Sequence, residues 1–168
     1  MNPSMADRLA DEAFLPCLLD FLTDDEPDKK TESARSMFRS PSEFRATVLH
    51  DLGWLLNTPS REQTGDYSDF PEIERSVLNY GVLDLCGKTV DELDISMLER
   101  SLLEAIVNFE PRIIRAGLTV KAIGQMDAKT PTTIGFEIKG QIWGNPYPET
   151  FLLKTLIDLE TGSSRIEL

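Results

Sequence analysis

Phe109-Glu110-Pro111-Arg112, with Leu118-Thr119-Val120-Lys121-Ala122-Ile123 close behind it, is where the hydrophobic period of the chain changes. Upstream, Leu98, Leu102, Ala105, Ile106 and Phe109 form one stripe, the repeat of a helix over 94–110. Ser96-Met97-Leu98-Glu99 carries an S-x-x-E cap signature near its start. Pro111 disfavours helical geometry at Glu110 and stops the helix there. Beyond Arg115 apolar residues recur every second position. Ile134, Phe136, Ile138, Gly140 and Ile142 alternate against Gly135, Glu137, Lys139, Gln141 and Trp143, a strand with one wet face. Gly144 to Glu149 reads as a turn. Phe151 to Asp158 reads as a strand, apolar on both faces except for Lys154, Thr155 and Asp158. Glu160-Thr161-Gly162-Ser163 is a hairpin turn before a last strand, Ser164 to Leu168. Helices first and strands last predict an α+β fold, with N-terminal helices packed on a C-terminal antiparallel β-sheet.

Moving back along the chain, residues 40–58 spell out a second helix. Ser40-Pro41-Ser42-Glu43 places serine at the N-cap, proline at the first helical position and glutamate three residues after the cap. Phe44, Val48, Leu52, Leu55 and Leu56 form its stripe, and Asn57-Thr58-Pro59 ends it. Residues 60–75 read as a polar loop, Glu72 to Tyr80 as a short helix closed by Gly81, and Asp84 to Gly87 as irregular. Residues 1–39 differ from the rest. Leu15, Leu18, Leu19 and Leu22 stand at helical spacing, and Thr23 to Lys30 is a charged run with a proline. The apolar cluster reads either as a helix folded back on its own domain or as a docking peptide for another protein. The expected division is an N-terminal extension, 1–39, and one domain, 40–168.

Charge and composition set limits. Among 168 residues, 17 Lys and Arg face 29 Asp and Glu, a net charge of −12. So acidic a chain suits phosphate backbones poorly, so nucleic acid is not an expected partner. The single histidine, His50, cannot build a multi-histidine zinc site. Cys17 and Cys86 stand too far apart for a C-x-x-C motif, so neither metal nor disulfide framework is expected. The first fifteen residues lack the apolar core of a secretory signal, and no run of eighteen apolar residues offers a membrane span. A cytoplasmic location with reduced thiols is the expectation.

Catalytic patterns are missing. There is no Walker loop, no G-x-G-x-x-G after a strand and no G-x-S-x-G. A Ser-His-Asp triad would need His50, yet His50 and Asp51 are helix neighbours and point about 100° apart. Paired carboxylates could serve glycoside hydrolysis, but the abundance of acids makes any one pair uninformative. No enzyme activity and no cofactor are expected. The local constellation that stands out is Glu110-Pro111-Arg112. A glutamate at a helix C-terminus costs roughly 0.3–1 kcal/mol unless compensated. Arg112 either pairs with it as a local helix stop, or the two form a fork of charge presented to a partner.

Four blocks in order carry a resemblance. Phe44-Arg45-Ala46-Thr47-Val48-Leu49-His50-Asp51-Leu52-Gly53-Trp54-Leu55-Leu56-Asn57-Thr58 resembles a first-helix pattern ending D-L-x-x-L-L-N-T. Ser76-Val77-Leu78-Asn79-Tyr80-Gly81 is similar to a second block, Phe109-Glu110-Pro111-Arg112-Ile113 to an E-P-R signature, and Ile134 to Gly140 to the strand that follows. The family is the baseplate wedge protein of contractile tails, often labelled lysozyme-like, and the type VI secretion branch is the nearest. The match runs from about Ser40 to Gly162. Gly53 within the first helix, and Leu83-Asp84 where proline is common, depart from the pattern.

The resemblance implies a structural protein that joins the baseplate wedge to the contractile sheath and nucleates sheath assembly. Its implied partners are the other wedge subunits (TssF, TssG and TssK) and the sheath subunits (TssB and TssC). Glu110, Pro111 and Arg112 would hold the wedge core. The terminal strands, through Phe151, Leu153, Thr155, Ile157 and Ile166, would offer an edge to sheath strands. Replacing Glu110 or Arg112 would then abolish assembly and leave the isolated fold intact. Two other readings remain: a peptidoglycan hydrolase using an acidic pair, and a regulatory module like a small relative of the fold, an anti-adaptor that blocks delivery of a stress sigma factor to a protease.

Overall fold

The computed structural model describes Phe14 and residues 17–23, 27–28, 40–61, 69–124, 132–144 and 147–167. Helices α1 (Leu18–Leu22), α2 (Pro41–Leu56), α3 (Pro71–Glu74) and α4 (Ile95–Phe109) precede strands β1 (Ile113–Gly124), β2 (Thr133–Ile142), β3 (Glu149–Asp158) and β4 (Ser164–Glu167). The strands form one antiparallel sheet in the order β1-β2-β3-β4. The chain is α+β, helices then sheet.

Both long helices start and stop for local reasons. Ser40 caps α2 by accepting from the Glu43 N–H, while the Glu43 carboxylate accepts from the Ser40 N–H at 2.7 Å, closing the capping box. The stripe of α2 is buried as its spacing predicts, joined by Leu49. Helix α4 begins differently from its sequence signature: Asp94, not Ser96, is the N-cap, its Oδ1 accepting from the Met97 N–H at 3.1 Å. Glu99 is thereby free for another task. Its Oε1 accepts from the Ala122 N–H at 2.7 Å and blunts the outer edge of β1.

Glu72 to Tyr80 is not one helix. The four residues of α3 end at Glu74, and a 3₁₀ turn, Val77–Asn79, follows after Ser76. Nor is Gly81 a helix cap. Its φ of +133° and the backbone of Thr58 to Ser60 crowding its α-carbon leave no room for a Cβ. It allows the Pro59–Val82 parallel bridge, in which the Ser60 and Val82 N–H groups donate to Val82 and Thr58 carbonyls at 2.8 Å each.

One core lies between the helices and the inner face of the sheet. Helix α4 packs along β1, α2 reaches β4, and the two helices touch. From the strands come Ile134, Phe136, Ile138 and Ile142 of β2, and Phe151, Leu153, Thr155 and Ile157 of β3. The register places Ile138 opposite Leu153 and Phe136 opposite Thr155. Thr155 is fully buried, yet its hydroxyl is 2.6 Å from the Ser164 hydroxyl, so the burial leaves no orphan. In β3 the inward residues alternate with outward Thr150, Leu152 and Lys154, so only one face is buried. A bulge interrupts β1 between Ile114 and Thr119, where Gly117 sits at φ +84°.

Candidate functional site: a charged helix stop beside an aromatic cleft

The end of α4 builds the site. The Glu110 N–H donates to the Ile106 carbonyl at 2.9 Å, the last helical bond, and the chain then leaves helical geometry. Pro111 enforces the departure, and Arg112 turns back on Glu110. Arg112 Nε donates to Glu110 Oε1 at 2.7 Å and Nη2 to Oε2 at 2.5 Å, a two-pronged pair. The Arg112 backbone N–H adds a third donor at 3.1 Å. Glu110 is only 4% exposed, so these donors compensate a buried carboxylate at the electrostatically unfavourable helix end. The Trp143 N–H donates to the Arg112 carbonyl at 2.8 Å and fastens the motif to the sheet.

A third member comes from α2. Arg112 Nη2 also donates to Asp51 Oδ2 at 2.5 Å, joining residues 61 positions apart. Two carboxylates thus share one guanidinium. Burial works against the charge on Arg112, but hydrogen bonds and Coulomb attraction from Glu110 and Asp51 outweigh it and raise its pKa further. The Tyr80 pKa is raised too, by burial first and then by the negative charges of Asp51 and Glu110.

Aromatic rings extend the cluster. Arg112 lies 6.0 Å from the Phe44 ring, which stacks on Phe14 at 4.4 Å, and Phe14 meets Trp143 edge-on at 6.0 Å. Tyr80 and Phe109 pair edge-on at 5.3 Å. Tyr80 and Phe109 face a cleft of about 370 Å³, lined also by Cys17, Leu19, Asp51, Trp54, Leu55, Glu110, Pro111 and Arg112. Trp54 also lines a wider groove of about 790 Å³ between α2 and β4. That groove includes Arg45, His50, Asn57 and Ile166.

The other predicted site residues are placed differently. Phe151, Leu153, Thr155 and Ile157 point into the core, and β3 lies between β2 and β4, so it is not an edge. The edges of the sheet are β1, where Glu99 takes the Ala122 N–H, and β4, where Ile166 is half-buried against Gly53. His50 is exposed on α2, 4.9 Å from the Trp54 ring. Both oxygens of Glu110 are taken by Arg112, so the acidic pair Glu110–Asp51 offers no free acid at Glu110 for glycoside hydrolysis.

Sequence reasoning missed Asp51, Tyr80 and Phe44 as members of the site. The signal lay in the resembling blocks: Asp51 belongs to the first, Tyr80 to the second, Glu110 and Arg112 to the third, and they line one cleft, with Phe44 of the first block beside Arg112.

The ion cluster is preformed and rimmed by aromatic rings, at the joint of a helix and a sheet. The chain belongs to the family described as baseplate wedge protein gp25, which matches residues 42–147 and includes TssE. It therefore has a structural role in a baseplate, in a family that is not a recognised enzyme family. No curated protein and no solved structure matches the chain. Among the described residues, no helix is long and apolar enough to cross a membrane.

Proposed function

We propose that this chain is the TssE-type wedge subunit of a cytoplasmic type VI secretion baseplate, the part that connects the wedge to the contractile sheath and nucleates sheath assembly. The cluster of Arg112 with Glu110 and Asp51 carries the reading, because it is a rigid charged knuckle on the E-P-R signature of a baseplate family. On this reading Glu110, Pro111 and Arg112 hold the wedge subunits TssF and TssG, with TssK beyond them. The edge of β4 receives a strand of the sheath, TssB and TssC. Strand addition suits such an edge, since main-chain bonds supply affinity and alternate side chains supply register. The charge of −12 steers encounter with basic partners.

The test is sheath polymerisation in cells carrying Glu110→Ala, Arg112→Ala or Arg112→Lys in place of the native chain. Lysine keeps the charge but loses the two-pronged geometry, so it separates charge from shape. All three variants are expected to abolish sheaths. Normal sheath formation in all of them would overturn the reading. Thermal melts of the purified variants separate lost assembly from lost folding.

A further inference from the structure

Ahead of the domain, Phe14, Cys17 and Leu19 lie against the site. Phe14 is 6% exposed, stacked on the Phe44 ring that lies beside Arg112. Three residues on, Cys17 starts α1, its N–H donating to Asp20 Oδ2 at 3.0 Å. Cys17 and Leu19 form one wall of the cleft whose other walls are Asp51, Tyr80, Glu110 and Arg112. The strap therefore belongs to the joint.

Its outer face lacks a cover. Leu18 is 75% exposed and Leu22 74% exposed, one helical turn apart, while Leu19 and Trp54, which both line the cleft, are 48% and 52% exposed. Leucines held outward on a turn anchored by the buried Phe14 gain nothing from the strap's own docking. The charge around them has one sign in excess. The cleft holds two carboxylates against one guanidinium, Asp20 adds a third, and Asp51 Oδ1 has no partner among the described residues. An occupant must then bring apolar side chains for Leu18, Leu22 and Trp54 and a cation for Asp51.

We infer that strap and cluster form one composite docking face for a basic amphipathic helix of the wedge partner, leucines against its apolar stripe and Asp51 against a lysine or arginine. The inference rests on the wedge reading and adds the chemistry of the partner. It places the strap inside the bound interface, where a displaced strap would have no role for Leu18 and Leu22.

The experiment is capture of the co-expressed TssF–TssG complex by the full-length chain, with affinity measured across a salt series. The double variant Leu18→Ser/Leu22→Ser changes only exposed side chains. It is expected to weaken capture by at least about tenfold, the worth of one well-buried anchor, with an unchanged melt. Asp51→Asn is expected to weaken capture and flatten its salt dependence. Phe14→Ala, which frees the strap, is expected to weaken it too. Tighter capture by Phe14→Ala would mean that the strap competes with the partner, and would overturn the inference. Undiminished capture by Leu18→Ser/Leu22→Ser, with Glu110→Ala still defective, would overturn it and leave the wedge reading standing. Failure of the native chain to capture the complex would overturn both. Self-association of the native chain that the double serine variant abolishes would assign the leucines to a second copy instead, and would also overturn it.

Discussion

The stop of α4 and the outer edge of β4 are both exits from regular structure, and they are finished in opposite ways. At the helix stop, the Glu110 oxygens are filled by Arg112, Arg112 is divided between two acids, and its carbonyl is tied to Trp143. At the β4 edge only the first residue is closed: Ser164 donates to Asn57 Oδ1 at 2.8 Å and accepts from Asn57 Nδ2 at 3.0 Å. Antiparallel alternation then turns the N–H and C=O of Ile166 toward the open groove. A finished cluster recognises by fixed shape and charge. An unfinished edge recognises by adding backbone. On the proposed reading, one small domain would then carry two binding modes with different tolerances: the first would fail on loss of one atom group, while the second would tolerate side-chain change as long as the ladder continues.

The largest predicted effect breaks the finished side. Arg112→Ala removes two of the three donors on a buried carboxylate, a loss of about 3–5 kcal/mol. Urea denaturation would read it as a fall in midpoint. A midpoint within error of the native chain would show that the cluster is an ornament of the surface and remove half of the contrast. This differs from the expectation that the sequence alone supports, in which the fold stays intact, because the 4% exposure of Glu110 was not visible there. Asn57→Ala has a smaller predicted effect, about 1–3 kcal/mol for three modest hydrogen bonds, two to Ser164 and one to the Gly53 carbonyl. Its sharper signature is faster amide exchange at Ser164, with β2 protected as before. Equal speeding through the whole sheet would mean that Asn57 serves the core and not the edge.

The smallest predicted effect is pH-linked. The folded chain holds the Tyr80 proton more tightly than the unfolded chain, because of burial and the charges of Asp51 and Glu110. The contribution is complete below the unfolded phenol pKa of about 10 and fades as pH rises through the higher folded value. Alkaline melts should show a drop that Tyr80→Phe abolishes. An identical drop in that variant would place the titration elsewhere and separate Tyr80 from the charge cluster.

Much of this architecture was readable in advance, where the cause is local. The capping box at Ser40, the stop at Pro111 and the period-two strands each depend on residues within a few positions, and each holds. The errors arise where a side chain has two uses. Ser96-x-x-Glu99 had the pattern of a cap, but Glu99 is committed to Ala122 and Asp94 takes the cap. Gly81 had the position of a helix terminator, but it makes room for the Thr58–Ser60 backbone. Asp51 stands next to His50 in sequence, yet its partner is Arg112 on another element. Spacing also marked Leu18 and Leu22 as a stripe without telling which side would face the protein.

Trp54 stands in the wall of both cavities, the cleft of the cluster and the groove along β4. An occupant of either therefore settles the ring for the other. With both surfaces filled as proposed, their binding energies would not add, and by thermodynamic reciprocity each occupant would alter the affinity for the other by the same factor. The size of that coupling would then be a property of the domain, carried by a single half-exposed ring.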